Sequence, residues 1–407
     1  MSKKLMNQPK SILFFETRSS SFERFPLWIS KSISQVYPNI QFNYLSNERF
    51  SESHKISLNQ HFILNPKYFS IKIPTVEAFV KILNKLQPSI IVVFAHRLPD
   101  IALLVAARTL SIKTVYYQHG LYIPFMRREP SLFLRNLIKT LRYAIYGMSV
   151  GRHVGIGLFS GLSAYLKIFL GGRKIQHTRL PGDSITADCC LVYGEYWADY
   201  HQQEYGYSHE SIKVVGTPDL SGIDLDSRVL MHCAKQSHCF CYVAQTLVED
   251  GRLQRGKMLS FLDGLAKAIR DCETQLIVKL HPRSDISLYE NLNCNLRLTH
   301  EFPASIGYIG HYSTILVRGI AFTEIFCLVN FPGHVIPEYI KLLASDVVDY
   351  SQIEKLTAWI SGVLILSTDK DALFKKRQKI KKFFHSNDEN PFDRAAHAIL
   401  CLRAEIL

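Results

Sequence analysis

The sequence predicts an α/β chain built on two parallel, doubly wound sheets, and three observations carry that prediction. Short apolar runs such as Ile90 to Ala95 suit strands buried on both faces. Polar, titratable residues and then an apolar pattern of helical period follow these runs. Such units occur in both halves, and 407 residues are too many for one ordinary core but suit two domains of roughly 150–200 residues.

In chain order, Ser11 to Phe15 is the first strand, leaving through Glu16-Thr17-Arg18-Ser19, and Phe22 to Val36 has helical period. The strand Ile90 to Ala95 exits into His96-Arg97 and the helix Ile101 to Leu110; Thr114 to Tyr117 then opens into Gln118-His119-Gly120. The texture changes in 127–174, where basic residues interleave with Phe, Leu, Ile and Tyr and the only acid is Glu129. Phe133, Leu137, Leu141 and Ile145 recur at helical spacing, so this tract reads either as a basic amphipathic helix for an anionic membrane interface or as a helix packed on its own protein. The strands Ala187 to Tyr193 and Ile212 to Val215 complete a Rossmann-like N-terminal domain, 1–225, and the polar, aperiodic stretch 219–238 reads as the linker. The second domain, 239–407, opens with a β-loop-α-β unit: strand Phe240 to Ala244, helix Met258 to Ile269, strand Gln275 to Leu280. A strand over Ala304 to Ile309 leads through the turn Gly310 to Thr314 into an apolar helix expected from Ile315 to about Phe326, with a strand from Leu328 to Asn330. The strongly basic Lys375 to Lys382 reads as a solvated helix face.

A formal charge of +13 and a pI near 9.2 imply anionic company: nucleotide, lipid head groups, polyanionic glycan or nucleic acid. The nine cysteines lack the spacing of a disulfide framework or zinc site and read as reduced thiols. Met1 to Lys10 has no apolar signal region, and no run approaches the ~18 uncharged residues of a spanning helix, so a soluble or peripheral protein is expected. The sequence has no Gly-Lys-Ser/Thr phosphate loop, Gly-x-Ser-x-Gly elbow or His-Glu-x-x-His helix, which sets aside the common NTPase, serine hydrolase and zincin readings. No nucleic-acid module is recognisable, and no metal is expected, since Asp224-Leu225-Asp226 and Asp369-Lys370-Asp371 follow no convincing buried strand.

Ligands of open parallel sheets bind outside the carboxyl ends of the strands, which makes the strand exits the candidate sites. Pro282 biases His281 to an extended backbone, aiming it out of the strand end, where an imidazole could bind or protonate a phosphate leaving group. Ser313 and Thr314 open a helix, where free N–H groups favour an anion; they could equally be simple caps. Glu249-Asp250-Gly251 offers a carboxylate to take a proton, or two acids complementing a helix dipole. His119, at its own strand exit, is the strongest N-terminal candidate, the alternative being a turn with a solvent-facing ring.

Val243 to Gly251, Lys279 to Arg283 and Gly310 to Thr314 resemble, in order, the acidic-acidic-Gly, His-Pro and Ser/Thr motifs of bacterial sialyltransferases and polysialyltransferases. That resemblance implies a GT-B fold, two Rossmann-like domains facing a central cleft. It also implies an inverting, metal-independent transfer of sialic acid or a related acidic sugar from a CMP-linked donor to a capsule or lipooligosaccharide acceptor, without a cofactor. Asp250 would be the base with Glu249 its rival, His281 would meet the departing phosphate, and Ser313 and Thr314 would hold it. Gln245, Gly251, Pro282, Arg283, Gly310 and His311 would line the donor site. The N-terminal Gln118-His119-Gly120 and Gly216-Thr217-Pro218 instead resemble CDP-glycerol polyol-phosphate transferases, which would make His119 the base. A UDP-sugar epimerase or a non-catalytic capsule-assembly protein stays open. The expected place is cytoplasmic, peripheral at the inner membrane.

Overall fold

The computed structural model describes residues 11–62, 65–120, 137–163, 185–227, 239–332, 336–365, 369–385 and 390–402. The chain divides into two compact units, one of residues 1–119, 135–221 and 389–407, the other of 120–134 and 222–388. Of the basic tract 127–174, residues 137–163 are described, and 127–136 and 164–174 lie outside the described residues.

Seven parallel strands form the first unit's sheet: β1 (Ser11–Glu16), β2 (Gln41–Ser46), β3 (Lys67–Ser70), β4 (Ile90–Val93), β5 (Lys113–Tyr117), β6 (Cys189–Val192) and β7 (Ile212–Val214). Their order is β3-β2-β1-β4-β5-β6-β7, so the direction of winding reverses between β1 and β4. Around the sheet run α1 (Phe25–Val36), α2 (Glu52–Asn59), α3 (Val76–Leu86), α4 (Leu98–Thr109), α5 (Leu137–His153) and α6 (Glu195–Tyr205). The central strands are apolar throughout because helices cover both faces; Ile12 to Phe15 and Ile90 to Val93 are fully buried.

The second unit's sheet holds β8 (Cys239–Val243), β9 (Gln275–Lys279), β10 (Leu296–Thr299), β11 (Gly307–Gly310), β12 (Phe326–Asn330) and β13 (Asp346–Asp349) in the order β10-β9-β8-β11-β12-β13, again parallel. Its winding reverses between β8 and β11. Among the described residues four helices accompany it: α7 (Arg255–Asp271), α8 (Glu338–Lys341), α9 (Ile353–Ile365) and α10 (Lys370–Lys381).

The domain limits differ from those expected. The last helix, α11 (Pro391–Cys401), belongs to the first unit: Phe392 packs on Phe25 and Trp28 of α1, and Arg394 Nε donates to Val215 O at 2.8 Å. The second unit's long segment begins at Gly222 rather than at 239, and there Leu225 O and Asp226 Oδ1 accept from Gln378 of α10 at 3.1 and 3.0 Å. The basic run on α10 is not wholly a solvated face. Arg377 is buried and donates to Ile320 O and Ser227 O, and Lys376 donates to Leu343 O, burial pushing its ammonium down to about 8. The segment after Ser313 is a 3-10 helix, Thr314–Ala321, shorter than the helix expected. Gly319 lies against Tyr308 and Phe326, where a Cβ would come within 2.7 and 2.8 Å, and the chain must straighten by Phe326 to enter β12.

A buried aromatic cluster sets one pH response of the first unit. His96 lies between Tyr116 and Tyr205 with ring centroids at 4.1 Å to each, and His201 accepts no solvent, its Nδ1 bonding Trp197 O at 2.7 Å. Burial drives the His201 imidazolium down to about 4 from 6.5, against the opposing pull of that carbonyl. Between those values the unfolded chain holds a proton that the fold refuses. Stability therefore falls as pH drops from about 6.5 to about 4, by up to about 3 kcal/mol. Urea midpoints measured across that window are expected to show a flatter slope in His201→Phe than in the parent; equal slopes would show that His201 does not carry the effect.

Candidate functional site

The carboxyl ends of β8, β9 and β11 lie side by side around the second unit's winding reversal, the place where open sheets take ligands. After β8 the chain makes a tight turn in which Asp250 N bonds Thr246 O at 3.0 Å, Gly251 N bonds Val248 O at 2.9 Å and Arg252 N bonds Leu247 O at 2.7 Å. Gly251 holds φ +65°, a conformation costly for other residues, and this lets the turn close with Asp250 and Arg252 on either side.

Side-chain bonds stitch the three predicted motifs together. Gln245 Nε2 donates to Tyr312 O, and Glu249 Oε1 accepts from Asp285 N at 2.7 Å. Arg283 donates to Asp250 Oδ1 at 2.8 Å and to Thr246 Oγ1 at 3.1 Å, while Thr246 Oγ1 donates to Asp250 Oδ2 at 3.0 Å. The turns at 250, 281 and 312 thus converge on one sheet end.

Within this cluster the groups differ in what they can do. Burial would raise the Asp250 carboxyl, but the hydrogen bond and charge of Arg283, with the charge of Arg252, hold it below its usual value. A carboxylate so engaged is a poor proton acceptor and a good brace for two guanidiniums. Glu249 Oε2 and Gln245 Oε1 are buried without a hydrogen-bond partner. Arg283 N donates to His281 Nδ1 at 3.1 Å, which places the ring proton on Nε2, and His281 N is tied to Ser284 Oγ at 3.0 Å. The imidazole is thereby fixed as an Nε2–H donor. Ser313 opens the 3-10 helix without capping it through its side chain, so capping does not account for that hydroxyl. Pro282 is exposed beside it in sequence to His281 and shapes the turn.

One expected donor-site residue, His311, is corrected, and Gly310 has a packing role. His311 is buried, with Nδ1 on Val329 O at 2.8 Å and Nε2 on Tyr242 Oη at 3.1 Å, so its ring is a core connector between strands. Gly310 ends a buried strand, and a Cβ there would meet Leu316 Cδ1 at 3.3 Å, so it makes room for a leucine. Thr246, Arg252 and Tyr312 were not among the sequence candidates, although each adjoins a motif that was. Tyr312 is buried and bonds Arg252 through its hydroxyl, while burial raises its phenol.

A second cluster lies in the first unit, also at its winding reversal. Glu16 ends β1, Arg97 follows β4 and His119 follows β5. The buried Glu16 carboxylate accepts from Arg97 Nη2 at 3.0 Å and faces His119 Nδ1 at 2.9 Å. Arg97 also reaches Asp100 Oδ2 at 2.8 Å and Thr17 Oγ1 at 2.8 Å. Burial alone would raise Glu16, but the Arg97 charge and the His119 bond override it and bring the carboxyl down to about 2. Asp100, wholly buried, is raised by burial despite Arg97. Phe25 packs edge-on against His119 at 4.8 Å between centroids, so ring and carboxylate together set the imidazole's plane. Gln118, by contrast, is structural: its Oε1 accepts from Tyr193 N at 2.9 Å. The signal for Glu16 and Arg97 was their place at strand exits.

No family model matches the chain, and no curated protein matches its sequence. Solved structures do match. A protein assigned as a UDP-N-acetylglucosamine 2-epimerase from Listeria monocytogenes has TM-score 0.55 at 11% identity, covering 97% of each chain. The fold is GT-B. A UDP-glucose:anthocyanidin 3-O-glucosyltransferase in complex with UDP gives 0.53 at 11%, covering 97% of this chain and 99% of that one. A glycosyltransferase from Rickettsia africae gives 0.52 at 11%, covering 98% and 99%. Among the described residues no group of three His, Cys, Asp or Glu could hold a metal, and no helix is long and apolar enough to cross a membrane.

Proposed function

We propose that the chain is an inverting glycosyltransferase that moves an acidic sugar from a CMP-linked donor to a hydroxyl of a bacterial surface glycan. The observation that carries the reading is the His119–Glu16 pair at 2.9 Å. Glu16 holds Nδ1, leaving Nε2 to take a proton, and its buried charge stabilises the imidazolium that forms. The acceptor oxygen bonds to the anomeric carbon as the bond to the donor phosphate breaks. The acceptor proton passes to His119 Nε2, and the nucleotide leaves with the bonding pair. Taken by itself, the second unit's cluster of His281 Nε2–H, Arg283, Arg252 and the Ser313 hydroxyl carries donors of the kind an anionic phosphate needs. Two guanidiniums gathered on Asp250 suit a donor with more than one anionic group, such as the phosphate and carboxylate of a nucleotide-linked acidic sugar.

A second reading, a UDP-sugar epimerase, is favoured by the fold likeness to the Listeria protein. Incubation with CMP-sialic acid, CDP-glycerol or UDP-N-acetylglucosamine, each with and without a glycan acceptor, separates the two. Acceptor-dependent CMP release from CMP-sialic acid is the expected result. Release of UDP without acceptor would replace the transferase by the epimerase, and turnover of CDP-glycerol alone would make the transferred group a polyol phosphate.

A further inference from the structure

The turn into α1 leaves a cation beside the proposed base. Arg24 precedes α1 as its N-cap but makes no capping bond through its side chain, and Pro26 fixes the backbone that follows. The guanidinium lies instead over the Phe25 ring, its central carbon 4.6 Å from the ring centroid. The His119 ring lies 4.8 Å from that same centroid. Phe25 is 1% exposed beneath these groups, whereas the side chains of Arg24 and His119 keep 46% and 28% of their surface. Of the five N–H donors a guanidinium carries, Arg24 spends one, Nη2 to Asp219 Oδ1 at 3.5 Å, the long limit of a hydrogen bond. That is its one side-chain hydrogen bond among the described residues.

A neighbouring polar group is unsatisfied. Tyr117 ends β5 with its ring 5.6 Å from Phe25, and its hydroxyl is buried without a hydrogen-bond partner. Burial raises that phenol well above its usual range; Tyr193 and Asp219 add to the effect while Arg24 and Arg394 oppose it, so the hydroxyl feels the same charges. The aromatic row continues on α11. Asn390 caps that helix by accepting from Phe392 N at 3.0 Å, and the Phe392 ring lies 6.4 Å from Phe25. Trp28, one turn of α1 beyond Phe25, stacks on Phe392 at 6.3 Å and 20° yet stays 47% exposed. Lys31 Nζ lies 4.1 Å from the Trp28 ring centroid, a second cation on the row.

Exposed aromatic surface takes the C–H face of a sugar ring, and a guanidinium fork matches a carboxylate. Building on the transferase reading above, we infer that Arg24 selects the acceptor. It takes the carboxylate of an acidic sugar whose hydroxyl meets His119, while the adjoining part of that acceptor rests on Phe392 and Trp28. The acceptor carboxylate also offsets the positive charge of Arg24 as the imidazole beside it gains a proton.

The probes are sialyllactose and trigalacturonate, each as the free acid and as its methyl ester. Ligand-observed NMR on the full chain without donor is expected to show the acids bound at least about tenfold more tightly than their esters. Release of CMP from CMP-sialic acid should show the same preference in kcat/KM. Arg24→Gln should raise the acceptor KM of the acid about 10–100-fold, bring acid and ester within about twofold, and leave the donor KM in place. A merely structural arginine would depress both acceptors alike. Arg24→Lys keeps the charge without the fork and should restore part of the preference. Trp28→Ala should weaken acid and ester equally, by about fivefold. No preference for the acid, equal losses on acid and ester in Arg24→Gln, or a change confined to the donor KM overturns the inference; the last result gives Arg24 to the donor's own carboxylate. If Arg24→Gln unfolds, the acid-to-ester ratio of Arg24→Lys decides in its place, an unchanged ratio counting against the inference. Acid-selective binding without CMP release from any donor sinks the transferase reading and leaves the sugar site standing. CMP release indifferent to the carboxylate does the reverse.

Discussion

His119→Ala is expected to lower kcat by about 10³-fold, within the range of 10²–10⁴ for loss of a positioned base. CMP affinity, read by calorimetry, should change little, because the phosphate donors of the second unit are untouched. The expectation follows from how the two candidate bases are held. Glu16, brought down to about 2, keeps its charge at any working pH and orients His119 through Nδ1. Asp250 already accepts from Arg283 at 2.8 Å and from Thr246 at 3.0 Å, so proton transfer to it would break both bonds. Asp250→Asn should leave kcat within about tenfold and act mainly on the donor KM, since it loosens Arg283 and Arg252. Glu16→Gln should lower kcat while leaving the donor KM unchanged, a split that a purely structural carboxylate would not produce. If Asp250→Asn abolishes turnover while His119→Ala preserves it, the base lies in the second unit and the proposed chemistry is wrong.

Why the sequence disclosed one cluster more readily than the other is a matter of distance along the chain. Buried parallel strands are continuous apolar runs, so β1, β4, β5, β8 and β9 were legible, and with them the exits that hold His119, Asp250 and His281. The flanking strands β2, β3, β10 and β13 carry polar residues such as Asn43, Lys67, Arg297 and Asp346 and give no such run. Glu16 and Arg97 stand at exits that were read, yet their pairing joins residues 81 apart and depends on β1 and β4 being neighbours. No periodicity encodes that adjacency. His311 shows the converse error: it follows a strand as a ligand-binding residue would, but Val329 and Tyr242 on neighbouring strands use its ring. The placement of α11 was hidden for a similar reason, since Phe392 is an ordinary apolar residue until α1 presents Phe25 and Trp28 to it.

Arg97→Met is expected to destabilise the first unit by about 3–5 kcal/mol near neutral pH, the cost of breaking a buried ion pair from one side. The guanidinium is the counter-charge of two carboxylates, Glu16 and Asp100, that have almost no exposure of their own. Methionine fills much of the same volume and makes none of the four contacts to Glu16, Thr17 and Asp100. In the parent, Glu16 falls from 4.5 to about 2 on folding. Its contribution, about 3 kcal/mol, is present above pH 4.5 and is lost as pH falls through about 2. Without Arg97 burial dominates, so both carboxyls are raised on folding and charging them opposes the fold. The variant's deficit should therefore be greatest near pH 7.5 and shrink towards pH 4.5, where protonation relieves the unpaired charges. Of the three tryptophans, Trp28 and Trp197 belong to the first unit, so a Trp359→Phe background reports that unit's urea midpoint by fluorescence. A loss below about 1 kcal/mol would show that Arg97 is dispensable to the fold. A loss equal at both pH values would mean that the carboxylates find another partner, and the orientation of His119 would then rest on Phe25 alone.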